Sequence, residues 1–221
     1  MKNRVHLIIL LTFNWIISSG QTSEIDSTIL RTDTARIQGE LYTVIFRTDE
    51  FLYIQDSNNK IVFKSKDYYP DFEFIDFDND GNKDLMINYM SNVPAIKDLI
   101  VFDFKTKSFK AVESFSSFPD PKPLNGTKYY FSYHRSGCAD MNWDSDLFFI
   151  ENFKTIKIGN ISGRECDDRD GDEKDGIYIY KVQGENKKLI KTLPIDTIGK
   201  YKDYKWGFIL DYWTKNYKIF E

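Results

Sequence analysis

Nine consecutive residues, Asp76-Phe77-Asp78-Asn79-Asp80-Gly81-Asn82-Lys83-Asp84, place carboxylates at positions 1, 3, 5 and 9 of a loop and glycine at position 6. Alternate side chains of a tightly turned backbone point at a common centre, and a hard cation such as calcium takes six to eight oxygens from an array of this kind. Gly81 permits the sharp turn, Asn82 offers its backbone carbonyl at position 7, and Asp84 binds directly or through a water. Four carboxylates converging without a cation would repel one another. The spacing therefore predicts a Ca2+ site built from Asp76, Asp78, Asp80, Asn82 and Asp84, with the metal in a structural role. Position 12 is Ile87 instead of the bidentate glutamate of a helix-flanked loop. The apolar segments Phe72–Ile75 and Leu85–Tyr89 on either side are of strand length, so the loop is expected to join two β-strands.

A second acidic segment, residues 167–175, also alternates carboxylates, but its glycine comes at position 4 when Asp168 is position 1. It reads as a solvated loop in preference to a second cation site. Cys138 and Cys166 are the two cysteines of the chain. In an oxidising compartment they are expected to form a disulfide, which on the chain-entropy model would contribute roughly 3.5 kcal/mol. A catalytic thiol would need a histidine base, and beyond the first twenty residues His134 is the one histidine. Around the first cysteine, Tyr133, His134, Arg135 and Trp143 mix aromatic and charged groups of the types that dominate interface energetics, and are candidates for partner binding. The alternative places Tyr129, Phe131 and Tyr133 on the inward face of a strand, with Trp143 covering the disulfide.

These residues must be positioned by short elements. Leu41–Phe46, Phe51–Ile54, Ile61–Lys64, Phe72–Ile75, Leu85–Tyr89 and Leu99–Phe104 are apolar or alternating runs of strand length, broken by turn chemistry such as Asp56-Ser57-Asn58-Asn59. The stretch Phe115–Gly126 carries Pro119, Pro121 and Pro123 and is expected to be irregular. Strands resume at Tyr129–Tyr133, Asp146–Ile150, Thr155–Ile161, Gly176–Val182 and Leu189–Leu193. The C-terminal Tyr201–Phe220 fits either a strand or a short helix. Eighteen Phe, fourteen Tyr and four Trp suit pleated, half-buried surfaces. The expectation is a mainly β protein of antiparallel sheets, arranged as a β-sandwich or a partial propeller.

At the N-terminus, Lys2 and Arg4 precede an apolar run from Val5 to Ile17 and the small residues Ser18-Ser19-Gly20, the pattern of a signal peptide over residues 1–20. The run falls short of the ~20 apolar residues that span a bilayer. No cysteine stands near the cut to carry a lipid anchor. Residues 21–38 are polar and read as a flexible N-terminal segment, leaving 39–221 as one β-rich domain. Removing residues 1–20 leaves 28 basic against 34 acidic residues, a net charge of −6. That balance argues against nucleic acid as a partner and against electrostatic docking on anionic lipid.

The segment from Phe74 to Leu85 resembles the FG-GAP/VCBS-type calcium modules, whose loop of the form DxDxDGxxD lies between strands. More narrowly, the chain resembles small exported bacterial proteins with a single such loop. In those the loop is followed by strand, turn and strand, here Leu99–Phe104 and Ser108–Val112, and by a basic and aromatic stretch like Tyr133-His134-Arg135-Ser136-Gly137. The resemblance covers roughly residues 70–160. Some members of that group are periplasmic inhibitors of lysozyme-like enzymes, including immunity proteins against peptidoglycan-cleaving toxins. It implies an exported, non-enzymatic calcium protein that binds a protein partner, a lysozyme-like hydrolase. A carbohydrate-binding module is the alternative, with a glycan as partner. A carboxylate-pair glycoside hydrolase using Asp140, Asp144 or Asp146 is a further one. No GxSxG or HExxH motif is present.

Overall fold

The computed structural model describes residues 28–66, 71–166 and 175–221. Four strands, β1 (Ile29–Ile37), β2 (Glu40–Arg47), β3 (Phe51–Gln55) and β4 (Ile61–Lys66), form an antiparallel sheet in sequence order. A second four-stranded antiparallel sheet follows in the same manner: β5 (Asp71–Ile75), β6 (Asp84–Asn88), β7 (Lys97–Asp103) and β8 (Ser108–Ala111). The third sheet is built from β9 (Lys122–Pro123), β10 (Tyr129–Phe131), β11 (His134–Arg135), β12 (Trp143–Glu151), β13 (Lys154–Arg164), β14 (Gly176–Gln183) and β15 (Asn186–Leu193). Its order is β15-β14-β13-β12-β10-β9, with β11 also on β12. A helix, α1 (Tyr204–Asn216), follows. The protein is therefore mainly β, with antiparallel sheets packed face to face as in a sandwich.

The second sheet lies between the other two, and the period of two in its strands shows how. Leu85, Ile87, Ile100, Phe102 and Phe109 join Tyr42, Val44, Phe46, Leu52 and Ile54 of the first sheet in one core. The intervening Met86 and Leu99 join Phe115, Phe118, Tyr130 and Phe148 on the side of the third sheet. Successive side chains of a strand point to opposite faces, so a sheet covered on both sides reads as a continuous apolar run. This accounts for Leu85-Met86-Ile87, in which all three residues are buried.

The expectation of a flexible segment over 21–38 is corrected for its second half, because Ile29–Ile37 forms β1. Polar residues conceal this strand, since its inward positions bond the second sheet as well as filling the core. The Arg31 guanidinium lies 4.8 Å from the centre of the Phe72 ring and donates to the Phe72 carbonyl at 2.8 Å. Asp33 accepts from the Phe74 amide at 3.2 Å, while Ala35 and Ile37 are buried. Residues 1–20, assigned to a signal peptide, lie outside the described residues, as does most of the acidic segment 167–175.

In the C-terminal segment the helix prevails. Phe208, Ile209, Tyr212 and Trp213 form the inward stripe of α1 on the third sheet, and the Trp213 indole N–H donates to Ser145 Oγ at 2.9 Å. Gly159 beneath it leaves room for the Trp213 and Phe220 rings, since a Cβ there would stand 2.8 Å from Phe220.

Candidate metal site and partner-binding face

The acidic loop leaves β5 at Ile75 and enters β6 at Asp84, two residues that face each other across the pair. The turn needs left-handed backbone at Asn79 (φ 60°) and at Gly81 (φ 88°), the latter the conformation that favours glycine. Carboxylate oxygens of Asp76, Asp78 and Asp80 lie within 4.8 Å of one another, an arrangement that can hold a metal ion. The loop is held from within: the amides of Asp80, Gly81 and Asn82 donate to Asp78, Asp76 and Asp80 at 3.1, 3.2 and 2.7 Å.

Asp84 lies outside that group of three and is 6% exposed. Burial raises its carboxyl to about 7, helped by the charges of Asp78 and Asp80, against backbone contacts from Phe102 and Phe77 that lower it. Asp78 is also raised, by burial first and then by Asp80. Asp84 Oδ2 and Asp76 Oδ1 are both buried without a hydrogen-bond partner. Buried acceptors left unpaired are costly, and a cation held among Asp76, Asp78 and Asp80 would satisfy the Asp76 oxygen. The residues present thus fit a hard divalent ion. The Asn82 side-chain amide donates to Asp80 at 3.0 Å, and its backbone carbonyl is the ligand expected at position 7 of such a loop. Asp78, Asp80, Asn82 and Asp84 line one end of a cleft of about 760 Å³ that runs between the second and third sheets and is bounded by Tyr130.

Cys138 and Cys166 form a disulfide with Cα atoms 6.2 Å apart. Between β11 and β12 the chain makes a tight excursion in which Gly137, Cys138, Ala139 and Asp140 all have positive φ, at 108°, 50°, 50° and 76°. Non-glycine residues pay for such conformations only where surroundings hold them. Here the holding group is Asp140. It accepts from the Tyr133 hydroxyl, pairs with Lys205 Nζ at 2.9 Å and stands 3.8 Å from Arg135 Nε. Lys205 also donates to the Asp140 carbonyl at 2.6 Å. Burial and the Asp140 contact push the Tyr133 phenol up.

Of the four residues predicted to bind a partner, three lie at this excursion and one does not. Tyr133 is half-buried against Trp206, with ring centroids 5.6 Å apart. His134 is half-buried and Arg135 exposed, both on β11. Trp143 is corrected to a core residue: it is fully buried beside Phe208. Its partner across β12 and β13 is Gly163, and a Cβ on Gly163 would fall 2.1 Å from the indole. Alternation explains the inversion, because Trp143, Ser145 and Leu147 share the face covered by α1.

Sequence reasoning missed Lys205 and Trp206, which α1 brings to the excursion from more than sixty residues away. Trp206 is 47% exposed and Leu210 51%. Their spacing of four puts them on one outward stripe, out of phase with the buried stripe of the helix, and that mismatch was the available signal. Lys205 Nζ lies 4.9 Å from the Trp206 ring centre and 5.4 Å from that of Tyr133.

The three carboxylates considered for glycoside hydrolysis are all engaged. Asp146 pairs with Lys157 at 3.0 Å and accepts from Asn160 at 2.8 Å. Asp144 pairs with Arg164 at 3.3 Å. Burial pushes Asp144 up, but bonds from Ser136 and Ser162 and the charges of Arg164 and His134 leave it below the usual carboxylate range. Asp140 is likewise lowered: burial opposes the shift, and Tyr133, Lys205 and Arg135 outweigh it.

No protein-family model matches the chain, and no curated protein matches it. Among solved structures it is similar to one described as a Xanthomonas type IV secretion system related protein, at 14% identity and a TM-score of 0.46, over 72% of this chain and 93% of that one. The similarity is too slight to transfer an activity.

Proposed function

We propose that the protein is an exported, calcium-stabilised binding module that acts on a protein partner without catalysing a reaction, the partner being a lysozyme-like glycan hydrolase. The observation that carries this reading is the exposed Trp206 packed on half-buried Tyr133, a pair fixed by Lys205 and Asp140 beside a disulfide-closed loop of left-handed residues. Aromatic and arginine side chains on a rigid support are what strong interfaces are made from, because little freedom is lost when the partner arrives. Arg135 adds an exposed charge at the rim. The disulfide fits an oxidising compartment.

Asp76, Asp78, Asp80, the Asn82 carbonyl and Asp84 would hold Ca2+, which supplies positive charge for carboxylates that are otherwise buried and crowded. Extracellular calcium is abundant enough to keep a modest-affinity loop filled. The lowered Asp140 and Asp144 are poor general acids, since that role needs a raised carboxyl, and this favours binding over glycoside hydrolysis.

The test is a thermal melt of the mature chain with calcium and with a chelator, beside an assay of lysozyme lysis. A calcium-dependent rise in Tm together with dose-dependent loss of lysis is the expected result. A melt indifferent to calcium would remove the metal, and stabilisation without inhibition would remove the hydrolase as partner.

A further inference from the structure

The outer face of the first sheet, opposite to its core, carries a second constellation. In register across all four strands stand Thr32, Ile45, Tyr53 and Lys64, and in the next row Phe51 faces Lys66. The Phe51 and Tyr53 rings are 5.8 Å apart. Lys64 Nζ sits 4.0 Å from the Phe51 ring centre and 5.3 Å from that of Tyr53, Lys66 Nζ lies 5.6 Å from Phe51, and the Arg47 guanidinium lies 5.9 Å from Tyr53. Lys64 and Lys66 are exposed, and the rings half-buried. A shallow depression of about 420 Å³ adjoins them, floored by Ile45 and Tyr53. Among the described residues no carboxylate shares this face of the four strands. On a chain with net charge −4, strands whose shared face carries cations and no carboxylate are a departure from the average surface; Asp49 of the β2–β3 turn, which accepts from the Phe51 amide at 3.2 Å, stands at its edge.

We infer that this face is a binding platform for an acidic polysaccharide. The two rings hold the cations in place before a ligand arrives, through attraction between ammonium and ring faces, so less freedom is lost on binding. Lys64 and Lys66, two residues apart on one strand, are separated by about 7 Å, and Arg47 two strands away by about 10 Å. That spacing suits a chain with one anionic group every sugar or two. It is far sparser than the one charge per ~1.7 Å of duplex nucleic acid. Stacked bases would need open ring faces, and here lysines occupy them. Ile29, Ile45 and Ile61 in the depression give the sugar ring an apolar surface beside the cations. This site is separate from the calcium loop and from the Tyr133–Trp206 face, and stands whether or not those readings hold.

The experiment is affinity electrophoresis of the full mature chain in gels containing polygalacturonate or neutral dextran, with binding to an oligodeoxynucleotide and to phosphatidylglycerol vesicles measured in parallel. Retardation by polygalacturonate alone is expected. It should weaken about tenfold in the Lys64→Gln, Lys66→Gln double variant, whose melt should match that of the wild type. No retardation, equal retardation of the double variant, or tighter binding to the oligonucleotide or the vesicles would each overturn the proposal.

Discussion

The ring of Phe77 lies flat against that of Tyr130, with centroids 4.9 Å apart and planes 12° from parallel. Phe77 is position 2 of the acidic loop, and Tyr130 belongs to the third sheet, so the loop that gathers the carboxylates also inserts a side chain between two sheets. Phe115 meets the same ring edge-on at 5.3 Å. A cation that fixes the loop would thereby fix the docking of the third sheet, and with it the face that carries Tyr133.

Replacing Phe77 by Ala should accordingly do two things. Loss of a buried aromatic costs about 3–5 kcal/mol, and for a domain of this size each kcal/mol lowers Tm by roughly 2–4 °C. Calorimetric titration of the folded variant should also show weaker calcium binding, because the empty loop is less well held. Unchanged calcium affinity would separate the loop from the sheet packing.

Asp84→Asn offers a test with opposite signs in two conditions. With a chelator the variant should melt no lower than the wild type, because a desolvated charge has been removed. With calcium it should lose most of the stabilisation that the wild type gains, on the order of 2.7 kcal/mol at a hundredfold excess over Kd. Differential scanning calorimetry in both buffers reads the two effects.

Gly163→Ala places a Cβ inside the Trp143 indole. Overpacking of this degree costs at least 1–3 kcal/mol, so the melt should fall or the variant should fail to accumulate. The double variant Gly163→Ala, Trp143→Leu should recover part of the loss. No effect of the single change would mean that the strands β12 and β13 can separate at that pair.

Trp206→Ala and Tyr133→Ala should each reduce the inhibition of lysozyme lysis by about thirtyfold, the loss typical of a central interface residue. Trp206→Ala should leave the melt nearly unchanged, because that side chain is half exposed. Full inhibition by both variants would move the interface elsewhere.

The acid limb of the stability curve should report Asp103. Bonds from Lys110, at 2.6 Å, and from Thr106 hold its carboxyl at about 2, below the usual value of 3.8. A carboxyl lowered on folding stabilises the native state above its unfolded pKa, and that contribution is lost as pH falls towards the folded one. Wild type should therefore be more stable than Asp103→Asn at neutral pH, with the difference shrinking between pH 3.8 and 2 in chemical denaturation.

The β class, nearly all the strand positions and the carboxylate spacing of Asp76 to Asp84 are legible in the residues alone, because these depend on period-two alternation and local turn geometry. The acidic loop could be read as a unit since its side chains converge within a few residues. The same locality explains the failures. Ile29–Ile37 passed for a loose segment because Arg31 and Asp33 gain their partners only when the second sheet arrives. Trp143 was open between partner binding and a place over the disulfide, because its direction depends on which face of β12 the helix α1 covers. Tertiary structure alone decided that Lys205 and Trp206 meet Tyr133 and Asp140, and that Phe51, Tyr53, Lys64 and Lys66 share a face. Those contacts join positions far apart in the chain, or on different strands, where register and packing, not local propensity, set the distance.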